Sequence, residues 1–254
     1  MKIQILSDLH LERGLPSWLQ RWKPQEGTEV LILAGDITNA KNPDVVGEMF
    51  GELKIPVLYI LGNHEYYGGD WYDTKAMFKS KYSPLTGNIN LLDDDFAMVN
   101  GVRFIGSTYW SDIKPSEEGE ALSFIADFRG LIAGCTMNLQ RQRHRHAQDY
   151  LKLCMKDSRE KGIDKNVIIT HFPPSWQARE ERFKASGLGS YFYNDDEALV
   201  ELLEPNLWIY GHTHGNLNFK VGEIPVVCNQ QGYLGRYGHE PCYPDFKPNK
   251  TWEV

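Results

Sequence analysis

Leu58-Tyr59-Ile60-Leu61-Gly62-Asn63-His64-Glu65 is a short apolar run that breaks at a glycine and then presents an amide, an imidazole and a carboxylate. A run of this kind reads as a buried strand that delivers polar side chains to a loop. The pattern recurs along the chain. Residues 3–7 lead to Asp8-Leu9-His10, and residues 30–34 lead to Gly35-Asp36. Residues 167–170 lead to His171, and residues 207–210 lead to Gly211-His212-Thr213-His214. In an open α/β sheet, sites form beyond the carboxyl ends of the strands. The strand ends are therefore expected to converge on one polyvalent metal site.

Composition bounds the rest. The chain has 254 residues, 41% of them hydrophobic and 24% charged, which suits one domain of two packed sheets or a large α/β unit. With no internal repeat, low-complexity tract or linker, residues 1–254 read as a single domain. A net charge of −7 argues against a protein that grips nucleic acid by bulk charge. Cys135, Cys154, Cys228 and Cys242 lie far apart without C-x-x-C spacing, which fits reduced thiols better than a zinc ribbon or a disulfide framework. No stretch approaches the ~18 to 20 apolar residues of a membrane span. Met1-Lys2-Ile3-Gln4 enters a strand without a secretory apolar region, so a cytoplasmic location is expected.

In chain order, Asp8 and His10 alternate at period two, which places a carboxylate and an imidazole on one side of an extended segment. His212 and His214 repeat that spacing. A carboxylate emerging from a buried strand is costly unless paired or metal-bound, so Asp36 is a candidate ligand shared by two ions. Its alternative is an N-cap for a helix over 44–53. Asn100-Gly101 between alternating runs signals a hairpin, and a second closing hairpin is expected around Gly222. Residues 108–137 read as an excursion that shapes the substrate pocket, and 138–161 as a long helix with a basic, solvated face. His144 and His146 on it lack helical ligand spacing and are not counted as a metal site. Residues 175–195 are polar and Gly-rich and read as a flap, and the tail from Gln230 is rich in Gly, Tyr and Pro. Tyr67, Tyr109, Trp110 and Phe172 are the candidate pocket walls by position; aromatic walls suit a nucleobase, and equally suit packing. Glu12, just past the first motif, is either support for the site or a solvated side chain.

The set Asp8, His10, Asp36, Asn63, His171, His212 and His214 is mixed N/O ligation without thiolate, which suits divalent ions such as manganese, iron or zinc. So many donors exceed one ion and suit two ions, about 3.5–4 Å apart, bridged by a carboxylate. The blocks Asp8-Leu9-His10, Gly35-Asp36, Gly62-Asn63-His64-Glu65, His171 and Gly211-His212-Thr213-His214, in this order, resemble the calcineurin-like metallophosphoesterase superfamily over residues 3–215. The resemblance implies an α/β fold, a four-layer α-β-β-α sandwich of two mixed sheets flanked by helices. It implies two divalent cations, manganese or iron first, with zinc, nickel and magnesium as other candidates. Asp8, His10 and His214 would hold one ion, Asn63, His171 and His212 the other, and Asp36 would bridge. His64 resembles the family's leaving-group acid, and Glu65 reads as support. The Ser/Thr protein phosphatase branch continues the second block with Asp and Arg. Here it continues Ile37-Thr38-Asn39-Ala40, which disfavours a protein phosphatase and leaves His64 without that carboxylate partner.

The expected activity is hydrolysis of a P–O bond in a small soluble phosphodiester or phosphomonoester, nucleotide-like esters included, through attack by a metal-bridged hydroxide. A nuclease would want a basic groove. A non-catalytic scaffold built on the metal-site surface would be expected to lose ligands, whereas this chain keeps the full set and His64.

Overall fold

The apolar runs that precede Asp8, Asp36, Asn63, His171 and His212 are strands buried on both faces, and their alternation assigns the layers. The computed structural model describes residues 1–83, 85–183, 186–234 and 245–254; Cys242 and the 235–244 part of the tail lie outside the described residues. The first half holds β1 (Lys2–Leu6), β2 (Val30–Ala34), α1 (Val45–Phe50), β3 (Val57–Ile60), β4 (Gly69–Asp70), α2 (Trp71–Lys81) and β5 (Ile89–Leu91). Next come β6 (Asp95–Val99), β7 (Val102–Ser107), α3 (Glu118–Phe124), β8 (Ile132–Ala133), α4 (Met137–Lys161) and β9 (Lys165–Thr170). The chain continues with α5 (Gly189–Phe192), α6 (Glu197–Leu203), β10 (Leu207–Ile209), β11 (Phe219–Val221), β12 (Ile224–Val227) and β13 (Thr251–Glu253).

One sheet has the order β13-β1-β2-β3-β5 and the other β11-β12-β10-β9-β7-β6. Both are parallel inside and carry antiparallel strands at edges: β13 on β1, β11 on β12 and β6 on β7. Ile3, Ile5, Val30, Ile32 and Ile60 face inward and meet Phe104, Val167, Ile169 and Ile209 of the other sheet. The alternate residues Leu31, Leu33 and Tyr59 face outward against Val46 and Phe50 of α1 and Phe78 of α2. On the far side Ile105, Ile168 and Trp208 pack against Leu151 of α4 and Val200 of α6. The result is the expected α-β-β-α sandwich of two mixed sheets.

Local signals explain the ends of the elements. Asn100 and Gly101, at φ 48° and 81°, form the two-residue turn that pairs Val99 with Val102. Thr136 caps α4 by accepting from the Leu139 N–H, and Gly162 at φ 66° ends it. The helix expected over 44–53 is confined to α1. In the aromatic segment after Glu65, Asp70 starts α2 by accepting from the Tyr72 and Asp73 N–H groups at its first turn. The basic face of α4 is partly engaged: Arg141 donates to the Ile113 carbonyl and Glu118, and Arg143 to Asp94. His144 is buried against the Tyr109 carbonyl. Cys135, Cys154 and Cys228 are free thiols. Among the described residues no helix is long and apolar enough to cross a membrane.

Candidate metal centre

The parallel strands β1, β2, β3, β9 and β10 all end at one edge. Beyond β1 and β2 the chain stays paired, with the Asp8 N–H donating to the Gly35 carbonyl and the His10 N–H to that of Asp36, both at 3.0 Å. The backbone there is not extended. Asp8, His10 and Asp36 sit at φ 54°, 48° and 54°, and His212 and His214 at 76° and 51°. The alternation expected for Asp8/His10 and His212/His214 is therefore replaced by left-handed turns. These cost about 1–2 kcal/mol per residue and persist where the surroundings over-determine them. The side chains converge through turns rather than through a pleat. Space is tight: a Cβ at Gly62 would lie 2.6 Å from His171 Nε2 and 2.7 Å from the Asp36 nitrogen.

Two groups of donors that share Asp36 result, beside a third made of His10, Glu12 and His64. Asp8, His10, Asp36 and His214 form one, and Asp36, His171 and His212 the other, each with donor atoms within 4.8 Å of one another. His10 Nε2 and His214 Nε2 face each other at 2.9 Å, with Asp8 Oδ1 3.4 Å from the latter. His171 Nε2 lies 3.3 Å from Asp36 Oδ1 and 3.3 Å from Asn63 Oδ1. The His171 Nδ1–H donates to the Ala34 carbonyl at 3.0 Å, which leaves Nε2 for the centre.

This donor set fits divalent cations. His212 Nε2 is buried without a hydrogen-bond partner, an expensive arrangement for a polar atom that nothing else satisfies, while His10 turns Nδ1 toward Glu12 Oε1 at 3.4 Å and leaves Nε2 for the centre. Burial, aided by the charge of His64, lowers His10 to about 4. Burial also holds His212 well below the ordinary imidazole range. Both are neutral, the form that ligates metal. At His171 burial opposes the charge but Asp36 prevails and raises the pKa to about 9, so a cation there would displace a proton.

The ligands are braced from behind. Glu65 is fully buried and accepts from the backbone N–H of Asp36 (2.9 Å), Ile37 (2.7 Å), Thr38 (3.3 Å) and Gly62 (2.7 Å) and from the Tyr59 hydroxyl (2.8 Å). It locks the turn that carries the shared carboxylate. Gln230 accepts from the His214 N–H and donates to Thr213 Oγ1 and the Gly215 carbonyl, holding the His212–His214 turn. Asp127 accepts from Asn63 Nδ2 at 3.1 Å, which turns the amide oxygen of Asn63 toward His171. The His212 ring lies between Phe172 and Phe192, at 3.9 and 5.4 Å between centroids.

His64 is buried beside the centre and lines the cavity. Its Nδ1 is 3.3 Å from Glu12 Oε1 and its Nε2 is 3.0 Å from the Tyr233 hydroxyl and 4.0 Å from Asp36 Oδ2. Burial alone would lower its pKa, but Asp36 and Glu12 outweigh burial and raise it. A cation on Asp36 would weaken that pull, leaving Glu12 as the carboxylate that favours protonated His64. Beside the centre is a cavity of about 310 Å³, lined by Asp36, Asn63, His64, His212 and His214 together with apolar and aromatic residues.

The profile of the calcineurin-like phosphoesterases matches residues 1–216. The chain belongs to that family. Its members are usually metal-dependent hydrolases, and a dimetal His/Asp site is typical of them. An uncharacterized protein of Acanthamoeba polyphaga mimivirus is 26% identical over 267 residues, covering 91% of each chain. Among solved structures, the phosphopantetheinyl hydrolase of Mycobacterium tuberculosis superposes with a TM-score of 0.69 at 14% identity, over 91% of this chain and 89% of that one. A dimetal phosphatase from Danio rerio gives 0.55 at 14% identity, over 91% and 87%. At these identities the likeness shows the fold.

For this calcineurin-like phosphoesterase, Asp8, His10, Asp36, Asn63, His171, His212 and His214 all lie at the one centre. Of the pocket walls expected by position, Tyr67 lines the cavity. Tyr109, Trp110 and Phe172 do not; they are 0%, 3% and 0% exposed. Tyr109 packs on Trp208 and donates to Asp196, Trp110 packs on Trp71, and Phe172 backs His212. The residues missed by sequence reasoning are Asp127, Gln230 and Tyr233, and the role of Glu12 was left open. Only Glu12 carried a signal, since it lies two residues beyond His10. The segment expected as a flap is more built than that: Ser190 and Tyr191 of α5 are buried.

Proposed function

We propose that this family member hydrolyses a P–O bond of a small phosphodiester or phosphomonoester with two divalent cations. The carrying observation is that Asp36 belongs to both donor groups, which is what a bridging carboxylate requires. Asp8, His10 and His214 would hold one ion and Asn63, His171 and His212 the other. When bound, such a pair supplies water activated near neutral pH and positive charge for the phosphoryl oxygens.

The chain's own groups do the rest. Asp36 is held by Glu65 through its own N–H and those of the next two residues, so the shared ligand is fixed before substrate arrives. His64 lines the cavity beside the centre with Glu12 behind its Nδ1, and donates a proton from Nε2 to the departing alkoxide. The Tyr233 hydroxyl now facing Nε2 marks where that oxygen would sit. The Glu12 carboxylate supplies from the first loop the partner that the second block lacks.

The test is direct. Protein stripped of metal and then given Mn²⁺ is assayed on p-nitrophenyl phosphate and bis-p-nitrophenyl phosphate, beside Asp36→Asn. Turnover of either substrate that needs metal and is lost in Asp36→Asn supports the reading, and the faster substrate names the ester class. Absence of metal-dependent turnover on both, with metal shown to be bound, would sink it.

A further inference from the structure

The cavity next to the centre has two chemically different kinds of lining, the metal-ligand side chains and a set of apolar and aromatic ones. We infer that the apolar lining takes the organic group of the substrate and selects one that is uncharged and apolar or aromatic. The inference rests on the phosphoesterase reading and adds the substrate class to it.

Three separate segments supply that apolar lining. Phe124 and Ile125 come from the end of α3 and the residue after it, Phe183 from the turn at Glu181–Phe183, and Tyr191 and Phe192 from α5, where both rings also lie 5.4 Å from that of His212. The two tyrosines nearest the metal ligands offer rings rather than hydroxyls. The Tyr67 OH donates to Asp127 Oδ1 and the Tyr191 OH to Asp127 Oδ2, each at 2.9 Å, so both are spent beneath the cavity floor. The ionisable and metal-ligating lining groups are Asp36, Asn63, His64, His212 and His214, where the phosphoryl group would lie, and Ser186, Tyr193, Thr213 and Tyr233 add only neutral hydroxyls. Among the described residues that line the cavity there is no lysine or arginine to meet a second anionic group.

The mouth is apolar as well. Phe124 is 69% and Phe183 39% exposed, two large rings in water at the rim of one cavity. Exposed apolar residues grouped at a concave site mark a binding surface, whereas isolated ones are ordinary. A volume of about 310 Å³ accommodates one ring-sized group beside the phosphoryl group. An apolar group there would cover Phe124 and Phe183 and remove water from the centre.

The test uses phosphonates, whose P–C bond is not hydrolysed, so that binding is read without turnover. Dissociation constants of Mn²⁺-loaded protein are measured by calorimetry for methyl-, propyl-, 2-aminoethyl- and phenylphosphonate. Phenylphosphonate is expected to bind about tenfold or more tighter than methylphosphonate, and propylphosphonate tighter than its charged isostere 2-aminoethylphosphonate. Phe124→Ala and Phe183→Ala should shrink the phenyl-to-methyl ratio, while Leu153→Ala on the exposed side of α4 keeps it. Equal affinities for phenyl- and methylphosphonate, or tightest binding of 2-aminoethylphosphonate, overturn the inference. If methylphosphonate binds and p-nitrophenyl phosphate is turned over while the ring adds nothing, only the cavity assignment falls. If no phosphonate binds and no ester is hydrolysed, the phosphoesterase reading falls and takes this inference with it.

Discussion

Asn63 and Asp127 are 64 residues apart in sequence, and the amide of one donates to the buried carboxylate of the other at 3.1 Å. Asp127 also accepts from Tyr67, Gln140 and Tyr191, so its two oxygens meet four donors. The amide of Asn63 is thereby oriented with its oxygen toward His171. Asp127→Asn would place an amide N–H₂ among donors and release that orientation. The expected result is a loss of about 10- to 100-fold in the affinity of one of two Mn²⁺ ions, with the other retained, read by calorimetry. Loss of both ions equally would mean that Asp127 supports the fold rather than Asn63.

Glu65 is the second brace, and its effect should be on stability. Its carboxylate accepts from the backbone of Asp36, Ile37, Thr38 and Gly62. Glu65→Gln keeps the volume but turns an N–H₂ toward N–H donors. Unfolding in urea is expected to show a loss of about 2–4 kcal/mol, and a change under 1 kcal/mol would contradict the assigned clamp.

Metal removal should destabilise the protein because the ions bind only the folded donor set. At a free concentration of 100 times Kd, a bound ion contributes about 2.7 kcal/mol. Chelation is therefore expected to lower Tm and Mn²⁺ to restore it. Asp36→Asn, which touches both donor groups, should show little Tm response to Mn²⁺.

His64 can be tested through the leaving group. A general acid contributes about 10²- to 10⁴-fold where the leaving alkoxide is basic and far less where it is p-nitrophenolate. His64→Gln should lower kcat steeply on an alkyl ester and modestly on a p-nitrophenyl ester. Glu12→Gln should do the same more weakly, since Glu12 acts on Nδ1 of His64. A uniform loss on both esters would assign His64 to holding the centre instead.

Gly62 makes a steric prediction. A methyl group there would press on Asp36 and His171, so Gly62→Ala should lose Mn²⁺ binding while far-UV circular dichroism stays native-like. Unchanged Mn²⁺ affinity would show that the turn can give way.

What the sequence by itself determined is the set of strand ends. Apolar runs stopping at Asp8, Asp36, Asn63, His171 and His212 announced buried parallel strands, because residues covered on both faces cannot alternate with polar ones. Their order identified the family and hence the four layers. The tertiary structure alone decided how the ligands reach one another: Asp8, His10, Asp36, His212 and His214 do so from left-handed turns, which residue spacing does not encode. It also decided which aromatic rings face the cavity and which enter the core, separating Tyr67 from Tyr109, Trp110 and Phe172. Asp127, Gln230 and Tyr233 reach the centre from segments with no local pattern linking them to it. Their partners are set by how distant chain segments pack, and packing of that kind leaves no period or spacing in the sequence to read.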